Sequence, residues 1–115
     1  MTKYNAKKTK IDGIMFDSKA EAHYFVYLKG LEKRGLISEL ELQPKVYLTS
    51  ARILYKPDFK FFDVTLQIPV YVDVKGMTTP VFQIKKRLWR HYGAGILRLV
   101  KKGVVTEEVK TLHDY

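Results

Sequence analysis

The stretch YKPDFKFF (residues 55–62), followed closely by YVDVKG (71–76), decides how this chain is read. Each is a run of strand-forming aromatic and β-branched residues interrupted by one aspartate, Asp58 and Asp73, and the second aspartate is followed two residues later by Lys75. Along a strand, period two puts Val70, Val72 and Val74 on one face and Tyr71, Asp73 and Lys75 on the other. That strand ends at Gly76, so Asp73 and Lys75 point the same way at a strand end. Asp58 opens its own strand just after Pro57, and an antiparallel neighbour brings it alongside Asp73. The acid-x-lysine triplet alone carries little, because Asp17/Lys19, Asp58/Lys60 and Glu108/Lys110 repeat it. The bland readings are a residue that merely starts a strand for Asp58 and an exposed ion pair of small value for Asp73 and Lys75.

Working outward, SKAEAHYFVYLKGLEKRG (18–35) predicts a helix. Ser18 caps it, Glu21 completes a capping box and Gly35 stops it. Glu21, Tyr24, Phe25, Leu28 and Leu31 share one face, so an acid heads the apolar stripe. Residues 37–48 read as one long strand bent near Pro44, and RILYKPDFKFFDVTLQ (52–67) as a second, turning at Gln67–Pro69 into the Asp73 strand. Three consecutive strands with short links predict an antiparallel meander. A second helix, 78–95, takes Thr79 as cap, Pro80 at its first position and Gly93 at its end. Val81, Ile84, Leu88 and Tyr92 form its expected apolar line, with Trp89 and Tyr92 assigned to the core. ILRLV (96–100) is a further strand, followed by a short tail element. IDGIMF is expected to turn at Asp12-Gly13 as a hairpin. Asp12 and Asp63 read as turn or solvent-facing residues, and His23 and His91 as ordinary surface or packing residues. The fold class is α/β in the α+β sense, a central mixed sheet flanked by helices in the order α-β-β-β-α-β.

A chain of 115 residues that is 46% hydrophobic forms one domain, 1–115, with residues 1–10 as a flexible basic arm. No apolar run reaches the length of a membrane helix, and the N-terminus carries no secretion signal, so a cytoplasmic protein is expected. Without cysteine, and with three histidines lacking ligand spacing, any bound metal is oxygen-ligated. The formal charge of +9 favours a polyanionic partner, with nucleic acid the leading candidate.

Phosphodiester hydrolysis needs an activated water and stabilised phosphoryl charge, and a hard divalent ion supplies both. Asp58 and Asp73 suit Mg²⁺, with the Val74 carbonyl as a further donor, Glu21 close by directly or through water, and Mn²⁺ able to substitute. Lys75 would orient or deprotonate the attacking water. No organic cofactor is called for.

These features together resemble the PD-(D/E)XK, or restriction-endonuclease-like, nuclease superfamily. The resemblance rests on Pro57-Asp58, on Asp73-Val74-Lys75 and on the FDSKAEA helix carrying Glu21. More narrowly, DGIMFDSKAEA, LQP, YKPDF and DVKG look like a family of small phage-encoded members, over roughly Lys3 to Leu99. The resemblance implies metal roles for Asp58 and Asp73, a catalytic role for Lys75, an auxiliary metal role for Glu21 and a weaker candidate in Gln43.

The basic residues Lys85, Lys86, Arg87 and Arg90 of the second helix are expected beside the site, Thr78 and Thr79 at its start, and Lys7, Lys8 and Lys10 on the arm, all as phosphate contacts. The expectation is a divalent-metal-dependent endonuclease selective for branched DNA, phage-encoded and compatible with a homodimer, working in recombination, replication or DNA processing. Its rivals are a non-catalytic nucleic-acid-binding protein of the same fold and an interaction protein that binds an acidic partner.

Overall fold

Local chemistry sets the helix ends where the sequence places them. In the computed structural model, which describes residues 7–112, α1 spans Lys19–Lys33. The Ser18 hydroxyl accepts from the Glu21 N–H at 3.1 Å, and Gly35 adopts φ 75° just beyond the C-cap. The Glu21 carboxylate reaches one residue further back than a capping box requires, accepting from the Asp17 N–H at 3.3 Å. Helix α2 spans Pro80–Tyr92, with Thr79 Oγ1 accepting from the Phe82 N–H at 3.1 Å.

The strands are β1 (Thr9–Ile11), β2 (Ile14–Phe16), β3 (Ile37–Leu42), β4 (Val46–Tyr47), β5 (Leu54–Tyr55), β6 (Phe59–Asp63), β7 (Ile68–Val74), β8 (Ile96–Lys101) and β9 (Val104–Val109). A five-stranded mixed sheet runs β3-β6-β7-β8-β9. Strands β3, β6 and β7 form the expected antiparallel set, β8 pairs parallel to β7, and β9 pairs antiparallel to β8. The parallel step needs a crossover, which α2 supplies.

Alternation along β7 divides the core. Val70 and Val72 pack with Phe59, Phe61 and the buried face of α1, Ala22, Tyr24, Phe25 and Leu28. Tyr71 packs on the opposite face with Phe82 and Trp89 of α2 and with Leu97 and Leu99 of β8. One helix therefore covers each face.

Several expectations are corrected. Residues 37–48 are not one bent strand: Gln43 takes φ 47°, Pro44 has no N–H to give the ladder, and the chain leaves the sheet. Residues 52–67 are likewise broken, at Lys56-Pro57, into β5 and β6. The pieces β4 and β5 pair with each other as a separate hairpin. The turn before β7 falls at residues 64–67, where the Asp63 carboxylate accepts from the Leu66 N–H at 2.8 Å. Pro69 lies inside β7, opposite Phe62 and ahead of the first β8 partner, where its missing N–H costs no bond to β8. The basic arm is shorter than expected, because Thr9 and Lys10 belong to β1, which pairs with β2 across Asp12 (φ 51°) and Gly13 (φ 78°). Residues 1–6 lie outside the described residues.

The α2 face is rotated from the expected line. Val81, Ile84 and Tyr92 are 61%, 50% and 51% exposed; Trp89 is buried as expected, Leu88 is half-buried beside it, and Phe82 takes the remaining core position. The indole decides the rotation: its Nε1–H donates to the Gly95 carbonyl at 2.8 Å while its ring lies edge-on to Tyr71. The glycines permit this approach, since a Cβ on Gly93 would lie 2.4 Å from the Trp89 ring and one on Gly95 2.3 Å from the Pro69 carbonyl oxygen. His23 and His91 are exposed, as expected. Trp89→Ala should cost about 3–5 kcal/mol in urea melts, whereas Ile84→Ala should stay within about 0.5 kcal/mol.

Candidate metal and phosphate site

The end of β7 gathers the acids. Asp73, buried at 4% exposure, turns toward the α2 side of the sheet, so the exposed ion pair is ruled out as its role. One carboxylate oxygen accepts the Tyr55 hydroxyl. The other lies 3.6 Å from Lys75 Nζ, which also rests 4.6 Å from the centre of the Phe82 ring. That separation exceeds a hydrogen bond, so the ammonium N–H groups remain available to a ligand in the cleft. The Lys75 backbone is pinned to β8, its N–H donating to the Val100 carbonyl at 2.9 Å.

Asp58 is the junction of the site. Its N–H donates to the Val72 carbonyl at 2.9 Å, its carbonyl accepts from the Gln43 N–H at 2.9 Å, and its Oδ2 accepts from the Val74 N–H at 2.7 Å. Its carboxyl group also lies beside that of Glu21, the two lining one pocket. Glu21 thus serves α1 as a cap and Asp58 as a partner, the coexistence its position allows. Desolvation drives the Asp58 carboxyl far above the ordinary carboxylate range; the neighbouring Glu21 carboxyl and the charge of Asp73 push the same way, against a smaller pull from the Val74 N–H. Burial likewise raises the Tyr55 hydroxyl, with the Asp73 charge and hydrogen bond adding to it, so Tyr55 stays a donor.

Asp58 lies between two openings. A cleft of about 470 Å³ on the α2 side is lined by Asp58, Asp73 and Lys75 together with Leu54, Tyr55 and Lys56 of the hairpin and Thr79, Val81, Phe82 and Lys85 of α2. A smaller pocket of about 170 Å³ on the α1 side holds Glu21, Gln43 and Asp58. Four sequence candidates, Glu21, Gln43, Asp58 and Asp73, therefore converge with Lys75 on one sheet end.

Other candidates distribute unevenly. Lys85 lines the cleft, its Nζ 5.8 Å from the Tyr55 ring centre, and Thr79 lines it while capping α2. Lys86 is corrected: it pairs with Glu107 of β9 at 3.1 Å. Arg87 and Arg90 are exposed on α2, and Thr78, Lys7, Lys8 and Lys10 are exposed but do not line the cleft. The sequence reading missed Tyr55 and Lys56. The signal was present three residues before Asp58, in a run already marked as decisive.

Among the described residues, no three His, Asp or Glu side chains stand as a ready-made cation cage. The donor set nonetheless suits one ion. Mg²⁺ is held by one or two carboxylates plus waters and substrate phosphates, not by an all-protein cage. Asp58 and Asp73 supply that number, and a cation would offset the desolvation and the neighbouring acids that raise the Asp58 carboxyl.

An α+β sheet with an acid-and-lysine cleft at the end of its central strand defines the class of the molecule. The chain belongs to the family described as Protein of unknown function (DUF1064), which it matches over residues 1–111. No curated protein matches it.

A carboxyl group whose pKa is raised by folding contributes stability below its ordinary pKa that is lost as pH climbs through the folded value. The metal-free protein should therefore lose stability from about pH 4 upward. Asn at position 58 still accepts from Val74 and can donate to Glu21 without ionising. Asp58→Asn should be more stable than wild type at pH 8 in chelator, by more than about 1.4 kcal/mol, the value of one pKa unit, with a flatter pH profile in denaturant titrations.

Proposed function

We propose that the protein is a divalent-metal-dependent DNA endonuclease that hydrolyses phosphodiester bonds, acting on branched DNA in phage recombination, replication or DNA processing. The observation that carries the proposal is the convergence of buried Asp73 and part-buried Asp58 on one cleft at a strand end, with Lys75 at the mouth and Glu21 beside Asp58. Perturbed, converging titratable groups in a cleft are the usual mark of a working site. The order α1, β3, β6, β7, α2, β8 also matches the restriction-endonuclease-like core, with the β4–β5 hairpin inserted and β9 appended.

In this reading Asp58 and Asp73 hold Mg²⁺ or Mn²⁺, with Glu21 behind Asp58 and the Val74 carbonyl as a further donor. The ion, when bound, lowers the pKa of water and neutralises phosphoryl charge. Tyr55 orients Asp73 by its hydroxyl. Lys75 donates to the scissile phosphate or the attacking water, and its contacts with Asp73 and the Phe82 ring keep it aimed. Lys85 and the Thr79 end of α2 take up flanking phosphate. Such a protein would work in the cytoplasm of a bacterial host, and a homodimer would place two sites for two strands.

The test is cleavage of labelled four-way junction, flap, duplex and single-stranded DNA with Mg²⁺, with Mn²⁺ and with chelator. Metal-dependent cutting is expected, reduced to background in Asp73→Ala and by about 10²–10⁴-fold in Lys75→Ala. Tight, salt-sensitive binding with no cutting under either metal would favour the non-catalytic DNA-binding reading instead.

A further inference from the structure

The β4–β5 hairpin has a composition and placement that the core does not explain. Residues 44–57, bounded by Pro44 and Pro57, contain Lys45, Arg52 and Lys56 and no acid. Among the described residues, none of these three cations pairs with a carboxylate. Strand alternation splits the hairpin in two. Val46 and Tyr55, paired with each other, and Leu48 beyond them face inward and are buried against α2. Tyr47 and Leu54, the next pair, face outward at 45% and 37% exposure, with Ile53 beside them at 43%.

The outer face is organised despite its exposure. The Arg52 guanidinium lies over the Tyr47 ring, 4.4 Å from its centre, a stacked cationic and aromatic pair that serves as a platform. Leu54, opposite Tyr47, also lines the cleft that holds Asp58 and Asp73, as does Lys56. Platform and cleft are thus one continuous surface. A flat aromatic with unpaired cations around it and no acid is the chemistry that holds a nucleic-acid strand whose bases are exposed: the ring and guanidinium stack on a base while lysines meet the phosphates. In an intact duplex the base faces are already stacked on each other and cannot meet such a platform.

We infer that the hairpin is a wing that grips an unpaired stretch of the substrate strand, the Tyr47–Arg52 pair stacking a base while Lys45 and Lys56 take neighbouring phosphates. The inference rests on the nuclease reading of the adjoining cleft and gives that site its preference for DNA with exposed bases. Leu54 and Lys56 carry the strand from the wing to Asp73.

The experiment is fluorescence anisotropy in chelator, where strands stay intact, with a labelled duplex interrupted by a single-stranded gap and a fully paired duplex of the same length. Wild type should prefer the gapped probe, and Tyr47→Ala should reduce that preference by about 5- to 150-fold, the range for loss of one base stack. Tyr47→Trp should retain it, with the new indole's fluorescence quenched by the gapped probe; circular dichroism confirms that both variants fold. Equal weakening on both probes, no weakening on either, or an unquenched indole would overturn the wing. If wild type binds and cuts DNA while Tyr47→Ala keeps the full preference, only the wing fails. If wild type binds neither probe, the nuclease reading falls and takes the wing with it.

Discussion

The bond from the Val74 N–H to the Asp58 carboxyl is the constraint on which the site depends. It ties the start of β6 to the end of β7 at a point where the backbone N–H of Asp58 is already bonded to Val72. Because the same carboxyl meets Glu21, the bond also fixes α1 against the sheet end. One side chain thereby joins two sheet strands and a helix. The cost is a part-buried acid close to two others, its carboxyl raised well above the usual carboxylate range by desolvation and by its neighbours.

The layering explains why the two sides of that cluster differ. Glu21 and Gln43 reach Asp58 from the α1 side through a narrow pocket, whereas Asp73, Lys75 and Lys85 meet it in the wider cleft on the α2 side. The cations thus stand where a phosphate would enter and the spare carboxylate stands behind. The hairpin completes the wider side: Tyr55 reaches in to hold Asp73, while Tyr47 and Arg52 on the other face of the same two strands remain in solvent.

Much of this was legible in the sequence because it is written locally. Ser18 and Thr79 fixed the helix starts through their own hydroxyls, and period two along residues 70–75 placed Asp73 and Lys75 opposite the valines. The hairpin was illegible because β4 and β5 are two residues each, too short for alternation to appear, and they blend into the apolar runs on either side. Trp89 was rightly placed in the core, but the aliphatic line through Val81 and Ile84 lies off its face, because the indole is fixed by Gly95, a partner beyond the helix end. The diversion of Lys86 to Glu107 depends on β9 closing onto β8, a long-range contact that no local pattern encodes. Tyr55 escaped notice for the same reason, since its role exists only once the hairpin folds back over Asp73.

The central claim is that the acid cluster is built for a divalent cation, and calorimetric titration of Mn²⁺ into the protein at neutral pH, in two buffers of different ionisation enthalpy, tests it most directly. The account predicts saturable binding with release of about one proton, because the ion must displace the one held by Asp58, and loss of that proton release in Asp58→Asn. Absence of binding, or binding with no proton release that Asp58→Asn leaves unchanged, would contradict it.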